Sequence, residues 1–209
     1  MPRKLCNRCL RPQAVCLCEH LVSLQAPCRV LILQHPSEQK QPLATVPILQ
    51  LCLSPLEVLI GEDFSSHPRV TSLLAQPQNV RLLFPGEHAS RWQVGQGAAA
   101  SARVDTLIVL DGTWRKAKKM WFVNKWLHTL PMVTLQGAAK SQYQIRSSSV
   151  AGGVSTLEAV ALSCNYLTAS NDFDGLYQPF NAMIQMQISK MGEEIFQAHY
   201  LGKDASPVP

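Results

Sequence analysis

The stretch that most limits what this chain can fold into is Leu107-Ile108-Val109-Leu110, followed at once by Asp111-Gly112-Thr113-Trp114. Four consecutive apolar residues, β-branched in the middle, are too few for a helix and have no polar side. They read as a strand buried on both faces, the kind found in parallel sheets covered by helices. The Asp-Gly pair ends the strand, and Thr113 is placed to cap a helix that begins at Trp114. In open parallel α/β sheets, ligands gather at the carboxyl ends of strands, and Asp111 occupies such an end. Arg115, Lys116, Lys118 and Lys119 follow within five residues. A carboxylate at the ligand-binding edge beside a positive helix points to chemistry on a polyanion, although a solvated basic face explains the cations alone equally well.

Further strands are expected at Arg29–Leu33, Leu56–Ile60, Val80–Phe84 and Pro131–Leu135, so the chain reads as α/β. Leu43–Leu53 reads as a short buried helix carrying Thr45. Residues 86–103 read as a loop with a small-residue helix, since Gly95-x-Gly97 has no strand directly before it and carries little phosphate signal. The basic helix is expected to run on through Trp126. At 100° per residue Trp114, Ala117 and Trp121 face the sheet, while Arg115, Lys119, Phe122 and Trp126 share another side. Cations interleaved with aromatics can grip phosphates and stack bases; for Phe122 and Trp126, covering a neighbouring loop is the competing reading. Ser155-Thr156-Leu157-Glu158 fits a capping box. It follows a glycine-bearing loop, and a helix N-terminus in that setting suits a carboxylate or phosphate. Residues 180–198 read as a final amphipathic helix.

Four of the seven cysteines fall in the first eighteen residues, as Cys6-x-x-Cys9 and, six residues on, Cys16-x-Cys18. The odd total and this spacing favour metal over disulfides. Four thiolates close a tetrahedral zinc site with no open position, which makes the expected role structural. Cys28, Cys52 and Cys164 lie among apolar residues and read as ordinary buried thiols. With 46% apolar and 16% charged residues the chain is globular, with one core and a small appendage. The net charge of +5 is compatible with nucleic acid without establishing it. There is no run of 18 apolar residues, and Arg3-Lys4 is not followed by an apolar leader core. Neither a membrane span nor a secretory signal is expected, which implies a cytoplasmic location.

Taken in order, these pieces resemble the DTW-domain family over nearly the whole chain. The match comprises Cys6-x-x-Cys9 with Arg11-Pro12, Cys16-x-Cys18, His35-Pro36-x-Glu38, Thr45, Asp111-Gly112-Thr113-Trp114, Tyr143-x-x-Arg146 and Ser155-Thr156-x-Glu158-Ala159. The family's three letters appear here with Gly112 between the Asp and the Thr. The resemblance implies tRNA-uridine aminocarboxypropyltransferase activity, in which the 3-amino-3-carboxypropyl group of S-adenosylmethionine passes to N3 of a uridine and methylthioadenosine is left. It also implies a SPOUT-like α/β fold with a trefoil knot near the carboxyl end around the donor pocket. Residues 1–25 would form the zinc-knuckle segment, 26–203 the catalytic domain, and 204–209 a loose tail.

On this resemblance Asp111, Thr113 and Trp114 are the expected catalytic residues. Asp111 would either take or orient the imide proton or bind the donor's amino group. Leu83, Pro85, Gly86, Leu110 and Leu135, at strand ends, would line the adenine pocket. Tyr143, Arg146, Ser155, Thr156 and Glu158 would complete the donor site, with Arg146 or the amides at Ser155-Thr156 suited to the α-carboxylate. His35, Glu38 and Thr45 enter the substrate site by resemblance alone. Arg115, Lys118 and Lys119 are the expected tRNA contacts, together with the knuckle. The expected partner is tRNA, with no membrane, no obligate protein partner and a monomeric state. Two rival readings stay open at this point: a SPOUT-type RNA methyltransferase and a non-catalytic zinc-containing RNA-binding module.

Overall fold

A computed structural model of the chain describes residues 4–97, 103–137 and 153–191. In chain order the regular elements are β1 (Leu24–Gln34), α1 (Val46–Cys52), β2 (Leu53–Ile60), α2 (Pro68–Leu74), β3 (Val80–Leu83) and β4 (Ser90–Gln93). They continue with β5 (Thr106–Asp111), α3 (Trp114–Val123), β6 (Met132–Gln136), α4 (Thr156–Thr168) and α5 (Tyr177–Met191). The strands form a six-stranded sheet in the order β2-β1-β5-β3-β6-β4, and every neighbouring pair is parallel. All carboxyl ends therefore emerge along one edge.

Alternation along the central strands builds two cores. On β1 and β5, Val30, Ile32, Leu107 and Val109 point to the side covered by α1, α4 and α5. Leu31, Leu33, Ile108 and Leu110 point to the other side, covered by α2 and α3. Burial on both faces is why these strands are uniformly apolar in sequence. Gln34 and Asp111 are directly paired across β1 and β5. By the same alternation they continue the series that faces α4. The register thus sets a buried amide beside a buried carboxylate.

The amino-terminal segment docks on the α5 side. Leu17 is fully buried within that core, and Arg11 Nη1 lies 3.6 Å from Met183 Sδ on α5.

Three expectations are corrected. The region read as a loop with a small helix contains β4, an edge strand whose Trp92 stacks on Tyr166 of α4 (centroids 4.7 Å apart). Four residues around one tryptophan gave too weak an alternation to stand out. Helix α3 stops at Val123 and does not run through Trp126. The buried Asn124 side chain ends it, donating to the carbonyls of Met120 and Glu62 and accepting from Phe64 N and Trp126 Nε1. Trp126 is consequently buried in a 3-10 turn and does not share an exposed side with Phe122. Thr113 holds the N-cap position of α3, but its hydroxyl makes no capping hydrogen bond. The final helix is described as far as Met191, and the expected tail lies outside the described residues.

Candidate active site and metal centre

A cleft of about 290 Å³ opens at the carboxyl edge of the sheet, between the amino-terminal ends of α3 and α4. Its strand-end wall includes Leu83, Pro85, Leu110 and Leu135, all expected from the sequence. Trp114 and Thr156 line it as well, and Gly112 stands at the base of α3. Gly153 and Val154 also line it, and sequence reading missed Phe84, Val109, Ala117, Val133, Thr134 and Ala159 of the wall. The signal for these was present only as helix and strand periodicity, which marks them as core without saying that a cavity adjoins them.

Asp111, 9% exposed, and Thr113 are not among the lining residues, but their neighbours Leu110, Gly112 and Trp114 are. Gln34 Nε2 donates to Asp111 Oδ2 at 2.9 Å, and Thr156 Oγ1 donates to its Oδ1 at 2.5 Å. Both donors are neutral, and among the described residues no cation pairs with Asp111. Taking an ion out of water costs several kcal/mol even after relaxation, and two neutral hydrogen bonds offset only part of that. Each oxygen keeps a further lone pair. The carboxylate is thus fixed in place by two donors, next to the cleft-lining residues Leu110, Gly112 and Thr156.

The remaining polar residues of this edge form a second cluster over β1 and β2. His35 N donates to the Asp111 carbonyl at 2.9 Å. Its ring Nδ1 accepts from Ser37 N, and its Nε2 meets Glu62 Oε1 at 2.8 Å. Glu38, 2% exposed, receives Lys116 Nζ at 2.9 Å. Lys119 pairs with the other oxygen of Glu62, and this hydrogen bond, reinforced by His35, holds the Glu62 carboxyl below its ordinary range. A Cβ on Gly112 would lie 3.2 Å from the Lys116 Cβ and 3.5 Å from the His35 Cβ. Glycine there suits the close approach of the end of β1 and the first turn of α3.

Not every expected residue reaches the cleft. Ser155 and Glu158 form the reciprocal capping box, with Ser155 N donating to Glu158 Oε2 at 2.7 Å and Glu158 N donating to Ser155 Oγ at 3.3 Å. Neither lines the cavity. Gly86 stands outside the wall against the Met132 side chain. Thr45 is buried at the start of α1, where its carbonyl accepts from Ile48 and Leu49, and it does not line the cavity either. Tyr143 and Arg146 lie outside the described residues. Arg115 and Lys118 are exposed on α3, whereas Lys119 is committed to Glu62. Gln34 is the main residue that sequence reading missed; only the β1–β5 register reveals it.

The four amino-terminal cysteines converge. Their sulfurs all lie within 4.8 Å of one another, with Cys6 and Cys18 at 3.5 Å and Cys9 and Cys16 at 3.6 Å. These separations are far beyond a disulfide bond and close to the roughly 3.8 Å edge of a tetrahedron with Zn–S bonds of about 2.3 Å. Backbone N–H groups of Cys9 and Arg8 lower the Cys6 thiol to about 6, while the Cys6 sulfur pushes Cys18 up to about 12. Four crowded thiols cannot all ionise unaided, and a divalent cation removes that conflict. The donor set fits a metal ion. The turn that presents it puts Leu10 in the left-handed region at φ 57°, with Leu10 N bonded to Cys6 O at 2.9 Å.

Comparison with known proteins identifies the family. The family model described as DTW domain matches residues 3–188. A mouse protein named tRNA-uridine aminocarboxypropyltransferase 2 is 32% identical over 99% of this chain and 72% of its own length. The Macaca fascicularis protein of that name is 33% identical over 89% of this chain, which spans 64% of that relative. The Drosophila melanogaster one is 31% identical over 97% of this chain and 82% of its own length. No solved structure gives a significant match.

Proposed function

Because the chain belongs to the DTW domain family, we propose that it transfers the 3-amino-3-carboxypropyl group of S-adenosylmethionine to N3 of a uridine in tRNA. The relatives' names support the reaction class. The observation that carries the reading in this chain is Asp111, a buried carboxylate whose two hydrogen-bond donors among the described residues are both neutral, set between the cleft-lining Leu110 and Gly112. Such a site suits a nucleoside that brings its own positive charge.

The donor supplies a γ-carbon made electrophilic by its sulfonium, so the attack needs no catalytic metal. As N3 bonds to that carbon, the carbon–sulfur bond breaks and its electron pair returns to sulfur. Neutral methylthioadenosine is released, and the imide proton passes to water. Leu83, Leu110 and Leu135 hold the adenosine away from solvent. Asp111, fixed by Gln34 and Thr156, faces the donor's cationic end, and Trp114 closes the side next to α3. Alignment of nucleophile, carbon and sulfur supplies most of the rate enhancement. In this reading Asp111 is a seat for positive charge, and removal of the imide proton does not depend on it.

The four cysteines hold zinc in a structural role. The sheet is read as SPOUT-like on the strength of its parallel order and the cleft at its carboxyl edge. The trefoil knot of that fold, near the carboxyl end around the donor pocket, is part of the same reading and is tested by an experimental structure of the whole chain.

The function itself is tested with tRNA from cells that lack the modification, incubated with protein and donor labelled on either the methyl or the carboxyl carbon. Label entering RNA only from the carboxyl-labelled donor is expected. Label entering only from the methyl-labelled donor would make the chain a methyltransferase.

A further inference from the structure

Helix α3 divides its surface three ways. At 100° per residue, Lys116 and Lys119 lie toward β1 and β2, where Glu38 and Glu62 hold them. Trp114 and Trp121 lie toward the cleft. Trp114 lines the cleft, and Trp121 stacks on Phe84 of its wall with centroids 5.6 Å apart and planes 12° off parallel. His128 covers Trp121 at 4.0 Å. Between these two sides runs an outward ridge of Arg115, Lys118 and Phe122, within an arc of about 60° and along about 10 Å of helix. All three are exposed. Among the described residues neither Arg115 nor Lys118 has an ion-pair partner. Phe122 is 64% exposed and is braced edge-on by Trp121 at 5.0 Å.

We propose that this ridge docks RNA, with Phe122 stacking on an unpaired base and Arg115 and Lys118 taking flanking phosphates. The inference rests on the reading above that RNA is the substrate. It adds the face by which RNA approaches and the residue that receives a base beside the target. Charge is what selects this partner. Lys116 and Lys119 are neutralised by Glu38 and Glu62, while among the described residues the cations flanking the open aromatic ring, Arg115 and Lys118, are not. A lone ring between cations suits a sequence-tolerant stacking platform. The ridge also begins at Arg115, next to the cleft residue Trp114, so a strand lying along it runs to the mouth of the site.

The experiment measures binding of an unmodified tRNA transcript to the full chain without donor, across a salt series. Phe122→Ala and Phe122→Leu are expected to weaken binding by about 5- to 100-fold, while Phe122→Trp keeps it. The double variant Arg115→Ala/Lys118→Ala is expected to reduce the salt slope by about 1.4, taking two single-strand phosphates at about 0.7 each. Melting temperature and donor binding, measured on the same proteins, should match the wild type and report intact folding. If Phe122→Leu binds as well as the wild type, the ridge is an apolar patch for a protein or lipid and the inference fails. An unchanged slope in the double variant removes the ridge from the interface. Should all variants bind RNA equally while the wild type transfers label, the function stands and this inference falls. A wild type that binds no tRNA would instead overturn the functional reading itself.

Discussion

The cysteine knuckle and the cleft around Asp111 both hold ionisable groups in fixed positions, and they do so in opposite ways. The knuckle draws its four sulfurs from thirteen consecutive positions, Cys6 to Cys18. It has little core of its own, with Leu17 as its main anchor in the body of the protein. The cleft draws Gln34, Asp111 and Thr156 from distant parts of the chain, and two hydrophobic cores fix them. On the zinc reading, one region is held by coordination chemistry and the other by topology. The comparison teaches that loss of metal and loss of a core hydrogen bond should have separable consequences.

The largest separation is expected on removing metal. Structural zinc supplies on the order of 10 kcal/mol of local folding energy. A strong chelator, or Cys9→Ser, should therefore abolish hydrogen-exchange protection at Leu10 N and Cys6 N, which bond to Cys6 O and Arg11 O. The amides of β5 should stay protected. Equal loss at β5 would show that the knuckle and the sheet form one cooperative unit.

Next comes Thr156→Val, which removes one of the two donors to Asp111. A hydrogen bond to a charged group contributes about 1.5–3 kcal/mol. Chemical denaturation should show a loss of that size, with metal affinity unchanged. A loss below about 0.5 kcal/mol would mean that the carboxylate finds another partner.

Smaller still is Leu10→Gly. The left-handed backbone at φ 57° costs a non-glycine residue about 1 kcal/mol. Glycine should raise the knuckle's metal affinity by up to about fivefold in a competition titration. Weaker metal binding would show that the leucine side chain itself supports the turn.

The smallest effect is expected at Glu62. Its folded value is depressed below 4.5, first by the Lys119 hydrogen bond and also by His35. The associated stabilisation is present above pH 4.5 and is lost as pH falls through the depressed folded value. Lys119→Ala should move the Glu62 carboxyl resonance midpoint upward toward 4.5, with little change in melting temperature at neutral pH. An unmoved midpoint would give His35 the dominant role.

The same contrast explains what was legible in the sequence. The four cysteines and the Ser155–Glu158 capping box are local, so spacing alone revealed them. The strand-turn-helix at Asp111 was legible because a doubly buried strand has no polar residues to disguise it. Leu83, Pro85, Leu110 and Leu135 were legible as strand ends, since a parallel sheet gathers its carboxyl edges. Gln34 was not legible, because its role depends on the pairing of β1 with β5, and register is a relation between strands seventy-seven residues apart. The division of labour among the α3 cations was hidden for a similar reason. Lys119 and Lys118 are adjacent in sequence, but only one faces Glu62. The end of α3 at Asn124 was missed because that side chain satisfies groups on the β2–α2 loop, a tertiary contact that overrides helical periodicity.

The central claim is that Asp111 seats the positive end of the donor. It is tested most directly by titrating S-adenosylmethionine and methylthioadenosine into the wild type and Asp111→Asn, without RNA. The two ligands share the adenosine, and only the first carries the sulfonium and the amino acid moiety. The account predicts that the wild type prefers S-adenosylmethionine and that Asp111→Asn loses this preference by roughly tenfold or more, as for a lost contact to a charged group, while binding methylthioadenosine unchanged. An Asp111→Asn protein that keeps the preference, or that loses both ligands equally, would contradict it.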